Sequence, residues 1–263
     1  MNYTSADFKV QYISRYTLYI NSDWVKDQLV VVDNDNKVLW AENYDSAHPS
    51  QEVTKILSLP FAKVYITLPH ERLIWLPTEV FQQSAVDEYR SFFDGSEQIW
   101  TKDIESLSVT ALYQYDLLLY YRWKRIYPEA HFVPVFDVIM HQVQASIPIR
   151  GTVLGAYLYD QQIDLFLFVN GAFHFYNTFE IATIDDMSYF VLQLLKNFQI
   201  EGKVSRILVG GVSLDSAWAK RMALYSDDLQ AISSKHQWTL HDLDTAEQTD
   251  RIHIMADSVL CVS

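Results

Sequence analysis

The stretch Ile207–Ser213, ILVGGVS, runs an apolar strand into a Gly-Gly turn, and a backbone without Cβ atoms can lie against a nucleotide. Gly210, Gly211 and Ser213 are therefore the first residues whose chemistry needs an account. A plainer account also exists: tight strand-to-helix packing asks for glycine too, and Ser213 would cap a helix beginning near Leu214. The other reactive side chains are dispersed. The eight histidines stand at 48, 70, 131, 141, 174, 236, 241 and 253, and no two share the i, i+4 spacing that sets a pair of imidazoles on one helix face for zinc. His236 and His241, in HQWTLHD, share neither a strand face nor a helix face, so no metal site is expected. Cys261, the one cysteine, lies in the apolar run SVLCV, which excludes an intrachain disulfide and predicts a buried, inert thiol. No Gly-x-Ser-x-Gly elbow occurs. The paired carboxylates Asp185-Asp186 and Asp227-Asp228 are placed at expected helix starts, where negative charge favours the dipole, so no catalytic acid-base pair is expected either.

Composition narrows the partners. Acidic residues number 33 against 20 basic ones, and the net charge of −13 repels nucleic acid and anionic lipid alike. The one basic cluster, Arg122, Lys124 and Arg125 in YYRWKRIYPE, reads as the last turn of a helix that Pro128 stops. Tyr, Phe and Trp supply 17, 14 and 7 residues, enough to fill a core and to leave a partner surface between Tyr113 and Tyr127. The N-terminal stretch lacks the charged start and unbroken apolar run of a secretory signal, and no window approaches the roughly 18 apolar residues of a membrane span. A cytoplasmic location without membrane insertion is the expectation.

The elements that must position these residues follow one order twice. RYTLYIN, DQLVVVD and KVLWAENY read as strands, Ser50 as the N-cap of a helix carrying Val53, Ile56 and Leu57 on one face, and AKVYITLP as a further strand. In the second half TVLGAYLY, IDLFLFV and AFHFYNTF are strands, with Asn170-Gly171 as a hairpin turn. Thr183 and Asp186 then open a helix, and SRILVGG is the closing strand. The apolar runs LVVV and LFLFV predict strands covered on both faces in a mixed sheet. Residues 70–146 read as an insertion of strands and helices in the first half. The predicted division is 1–147 and 148–263, two ribonuclease H-like units with five-stranded mixed sheets flanked by helices and a cleft between them.

On this element order, on VNGAFHFYNTFEI and on RILVGGVS, the chain resembles the actin-like ATPase superfamily of sugar kinases, heat-shock chaperones and actin. It looks most like a Bacteroidetes family of unknown function, similar in plan to the actin-like cytoplasmic proteins of type IV pilus and type II secretion assembly. The resemblance implies three grips on ATP: an Asp-then-glycine turn opening each half, the first acting through Mg²⁺, and a glycine-containing adenosine loop. The matching positions are Asp23 and Asp27 in NSDWVKD, Asp160 in YDQQID, and Gly210, Gly211 and Ser213. Trp24 occupies the place of the first glycine, and Gln161 and Gln162 replace the small residues of the second turn. A Cβ at such a turn blocks the approach of a phosphate oxygen.

The sequence therefore points to a pseudo-ATPase that uses its scaffold to bind a protein partner, with no catalytic residue and no cofactor. The alternative is a divergent ATPase or sugar-kinase-like phosphotransferase. It would hold ATP and Mg²⁺ with Asp23, Asp160, Gly210, Gly211 and Ser213.

Overall fold

A computed structural model of the chain describes residues 2–23, 25–93, 95, 98–159, 161–239 and 253–262. The described residues fall into two compact units, a first made of 2–141, 234–239 and 253–262 and a second made of 142–233. The sequence reading assigns everything after 148 to the second half. The described residues beyond Ser233 pack instead within the first unit. There Thr239 N–H donates to Asn36 O at 2.9 Å, Val38 N–H donates to Thr239 O at 3.0 Å, and the Trp238 ring lies 4.9 Å from that of Tyr19.

The first unit is built on strands β1 (Asn2–Thr4), β2 (Thr17–Ser22), β3 (Lys26–Val32) and β4 (Val38–Asp45), helix α1 (Gln51–Leu57) and strand β5 (Lys63–Leu68). Ser50 Oγ accepts from Val53 N–H at 3.1 Å, the cap that the sequence predicts. There follow β6 (His70–Pro77), a 3-10 run Gln83–Phe92, β7 (Trp100–Ile104), β8 (Val109–Tyr115), α2 (Leu117–Ile126), β9 (His131–Pro134) and α3 (Val135–Val143). The main sheet has the order β1-β4-β3-β2-β5-β9, with β2, β3 and β4 antiparallel and β5 parallel to both β2 and β9. It has six strands where the sequence predicts five: β2, β3, β4 and β5 are the four read from the sequence, and β1 and β9 are too short to show a periodicity. Strands β6, β8 and β7 form a separate antiparallel sheet. After Ser233 the chain adds helix α6, preceded in order by the second unit's helices, at His253–Ala256 and a 3-10 turn at Asp257–Cys261.

The second unit contains β10 (Thr152–Leu158), β11 (Gln162–Val169), β12 (Ala172–Glu180), α4 (Ile184–Asn197), β13 (Arg206–Gly210), α5 (Ala217–Met222) and β14 (Leu229–Ala231). Its five-stranded sheet has the order β12-β11-β10-β13-β14, with the parallel pairs β10/β13 and β13/β14 closing an antiparallel meander. Asn170 and Gly171 turn the β11–β12 hairpin with φ of 52° and 80°, as the Asn-Gly pair predicts. Helix α4 starts in a capping box: Thr183 Oγ1 accepts from Asp186 N–H at 3.2 Å, and Asp186 Oδ2 accepts from Thr183 N–H at 2.7 Å. Those bonds hold the Asp186 carboxyl below its ordinary range. Met187, Val191, Leu194 and Leu195 on α4 bury against Leu154, Leu165 and Ile207 of the sheet. Among the described residues no helix is long and apolar enough to cross a membrane.

Candidate functional site

In the first unit the β2–β3 turn satisfies itself. Asp23 Oδ1 accepts from the N–H groups of Val25 and Lys26, each at 2.6 Å, and Asp23 N–H donates to Lys26 O at 3.1 Å. An Asp that bonds the amides two and three residues on is a local turn device. The amides that would hold a phosphate oxygen in such a turn are here occupied by the chain's own carboxylate. Trp24 lies outside the described residues.

Beneath the turn, Asp27 is 1% exposed, and Arg122 reaches it from α2 with Nη2 at 2.6 Å from both carboxylate oxygens. Ser22 Oγ donates to Asp27 Oδ1 at 2.5 Å and accepts from Trp123 Nε1 at 2.8 Å. The Arg122 guanidinium also lies 4.7 Å from the Trp123 ring centroid. Burial, followed by the Asp27 charge, pushes the Tyr44 phenol far above its ordinary range. The sequence assigns Arg122 to the helix dipole along with Lys124 and Arg125. Lys124 and Arg125 do occupy the last turn of α2, whereas Arg122 turns inward to neutralise a buried acid.

In the second unit, Gly210 ends β13 opposite Tyr157 of β10. A Cβ on Gly210 would stand 2.5 Å from the Tyr157 ring, and one on Gly211 would stand 1.9 Å from the Leu158 carbonyl oxygen. Gly211 also has φ +77°, which L side chains rarely adopt. Packing within the sheet thus requires both glycines.

Ser213 departs from its expected role. Its Oγ accepts from Asp215 N–H at 3.3 Å, and the cap of α5 is Ser216, whose Oγ accepts from Ala219 N–H at 3.1 Å. Ser216→Ala is therefore expected to lower the unfolding free energy by about 1 kcal/mol and Ser213→Ala by only a few tenths, measured by urea denaturation. Equal losses would return the cap to Ser213.

Asp160 lies outside the described residues. A nearby acid that the sequence reading passed over, Asp164 of β11, is buried and hydrogen-bonded. It accepts from Tyr159 Oη at 2.8 Å, Tyr176 Oη at 2.7 Å and Thr178 Oγ1 at 2.5 Å. Tyr157 and Thr178 are its cross-strand partners. Burial, with the Asp164 charge second, raises the Tyr159 and Tyr176 phenols well above their usual range. The legible signal was an acid inside the apolar run QIDLFLF, a pattern that needs buried donors. Buried and held by three hydroxyl donors, Asp164 serves as an internal acceptor of its own sheet.

The remaining candidates divide. Asp185 and Asp186 do open α4, but Asp227 and Asp228 precede β14 rather than a helix. Arg206 Nε donates to Asp228 Oδ2 at 2.7 Å and holds that carboxyl low. His236 is engaged by Asp257, with 3.1 Å between Nδ1 and Oδ1, while His241 lies outside the described residues. Burial pushes the Cys261 thiol up, as its apolar run predicts. Tyr113, Tyr115 and Trp123 are core residues, but Leu118, 78% exposed, and Tyr121 project from α2. They line a shallow depression of about 520 Å³ with Leu117, Arg122, Lys124 and Arg125.

Comparison with known proteins adds the family. The sequence model described as "Protein of unknown function (DUF3822)" matches residues 5–228. This chain belongs to the DUF3822 family. No curated protein matches the sequence of this DUF3822 member. Among solved structures, it is similar to a Bacteroides thetaiotaomicron protein with an actin-like ATPase fold and unknown function. The TM-score is 0.69 at 16% identity, over 85% of this chain and 93% of that one. It is also similar to a chain of the PilM–PilN type IV pilus biogenesis complex, with TM-score 0.59 and 11% identity over 94% of this chain and 97% of that one. At these identities the likeness establishes that the DUF3822 member has an actin-like ATPase fold.

Proposed function

We propose that this chain is a non-catalytic actin-like protein, a pair of duplicated ribonuclease H-like units that serves as an interaction or assembly module. One observation carries the reading: among the described residues of the first turn, the Asp23 carboxylate occupies the Val25 and Lys26 amides, the pair that would otherwise face a phosphate oxygen. Three others support it. Arg122 neutralises Asp27, so that acid has no charge left for a metal-bound phosphate. Gly210 and Gly211 have full packing reasons to be glycine. The same succession of antiparallel meander, helix and parallel strand recurs in the second unit.

A protein partner fits this reading. PilM is found in complex with PilN, and the exposed Tyr121 beside Arg125 is of a kind enriched at contact surfaces. Isothermal titration of the full chain with ATP and Mg²⁺ tests the proposal, and the expected result is no saturable heat. Tight, Mg²⁺-dependent binding would replace it with the phosphotransferase reading, in which Asp23, Asp160 and Gly210-Gly211 hold the nucleotide.

A further inference from the structure

A constellation in the first unit is untouched by the proposed function. Asp137 and His141 stand one turn apart on α3, and the 3-10 turn Asp257–Cys261 brings Cys261 beside them. One donor atom from each, a carboxylate oxygen, an imidazole nitrogen and the sulfur, all lie within 4.8 Å of one another. His141 Nδ1 is 3.1 Å from Asp137 Oδ1 and 3.6 Å from Cys261 Sγ.

Asp137 is 0% exposed, and neither of its oxygens receives a hydrogen bond of good geometry. Its compensation is charge: Lys102 on β7 sets Nζ 3.1 Å from Oδ2 while donating to Cys261 O at 2.6 Å. On the Oδ1 side the carboxylate faces His141 Nδ1 at 3.1 Å, and a cation bound there would add to the compensation that a buried charge needs. Asp257 does not compete, because its carboxylate already accepts from the N–H groups of Lys235 and His236.

Two chemistries use a thiol, an imidazole and a carboxylate. A nucleophilic relay needs the thiol and the acid on opposite nitrogens of the ring, so that a proton taken at one is balanced at the other. Here both approach Nδ1, which excludes the relay geometry. A carboxylate oxygen and a sulfur gathered around one imidazole nitrogen, all within 4.8 Å of one another, are instead a donor set that a cation can draw together. Tetrahedral zinc with bonds of about 2.0 Å to N and O and 2.3 Å to S holds its ligand atoms about 3.3–3.6 Å apart. The two separations from Nδ1 bracket that range.

We propose that Asp137 Oδ1, His141 Nδ1 and Cys261 Sγ form a site for one zinc-class divalent cation, with Lys102 kept on Asp137 Oδ2 as an outer partner. Thiolate with imidazole selects zinc over magnesium or calcium. In the metal-free chain Nδ1 is 2.9 Å from the Asp137 main-chain oxygen. Binding requires a bare Nδ1 and a thiolate: the proton of the neutral imidazole is carried on Nε2, and the thiol proton leaves to solvent in exchange for the cation. The His141 side chain is 27% exposed, so solvent reaches the cluster and a water completes the coordination. The site has a structural role: it fastens the C-terminal turn to α3 within the first unit.

The test uses the full chain, freed of metal with chelator and titrated with Co²⁺ as a spectroscopic substitute and with Zn²⁺. One equivalent of Co²⁺ is expected to give intense tetrahedral d–d bands and a thiolate-to-metal charge-transfer band in the near ultraviolet, both abolished by one equivalent of Zn²⁺. Zn²⁺ affinity, measured by chelator competition, is expected to fall more than about 100-fold in His141→Ala and in Cys261→Ser, since even outer-shell changes cost 10–100-fold. His131→Ala should match the unaltered chain. Absence of a charge-transfer band in the unaltered chain overturns the proposal without recourse to any variant. So does Zn²⁺ binding of unchanged affinity in a folded Cys261→Ser chain.

Discussion

Replacing Arg122 with alanine is expected to lower the unfolding free energy by about 3–5 kcal/mol, because it leaves the buried Asp27 carboxylate without its charge partner. Arg122 Nη2 is 2.6 Å from both oxygens of Asp27, and the same nitrogen lies 3.0 Å from Ser22 Oγ. Ser22 in turn links the cluster to Trp123, so the loss spreads to the packing of α2 on the sheet. Urea denaturation of the single variants and of Arg122→Met with Asp27→Asn would separate the stranded charge from the lost contacts. The double variant is expected to recover much of the stability, since neutral groups of similar shape carry no unpaired buried charge. If Arg122→Ala proved as stable as the parent, the ion pair would be a surface contact, and Asp27 would again be available to a metal-bound phosphate.

The second large effect is expected at Gly211→Ala, a loss of about 3 kcal/mol. It combines a left-handed φ, worth about 1–2 kcal/mol, with an overlap that must displace the Leu158 carbonyl, worth about 1–3 kcal/mol. Gly202→Ala isolates the first part, because Gly202 has φ +75° with open space where a Cβ would stand. Its expected loss is about 1 kcal/mol, from backbone strain alone. Equal losses at the two positions would show that nothing at Gly211 depends on closeness to β10. The likeness of this turn to a nucleotide loop would then need another cause. The two predictions bear on one question: whether the residues that resemble an ATP site are explained by the fold they build.

Most of the fold was legible before any coordinates. The strands with long apolar runs, the Asn170-Gly171 hairpin, the Ser50 cap and the Thr183–Asp186 capping box all appear where the sequence puts them, because each is a local preference of neighbouring residues. The short strands β1 and β9 were not legible, since three or four residues carry no period. Ser213 was misread as a cap because a serine after a glycine turn is a good cap in isolation. The chain continues three residues to Ser216 before the helix starts.

What the sequence determined by itself is the set of elements, their order, and the glycine-free first turn, all properties of adjacent residues. What only the tertiary structure decided is which distant partners meet. Arg122 reaches Asp27 across 95 residues, and Cys261 meets His141 across 120. The spacing of Asp137 and His141 was present in VFDVIMHQV, but a lone acid and a lone imidazole acquire meaning only with a third donor. Pairings of that kind follow from burial, where an unpaired charge is too costly to keep, and burial belongs to the whole packed unit rather than to any stretch of chain.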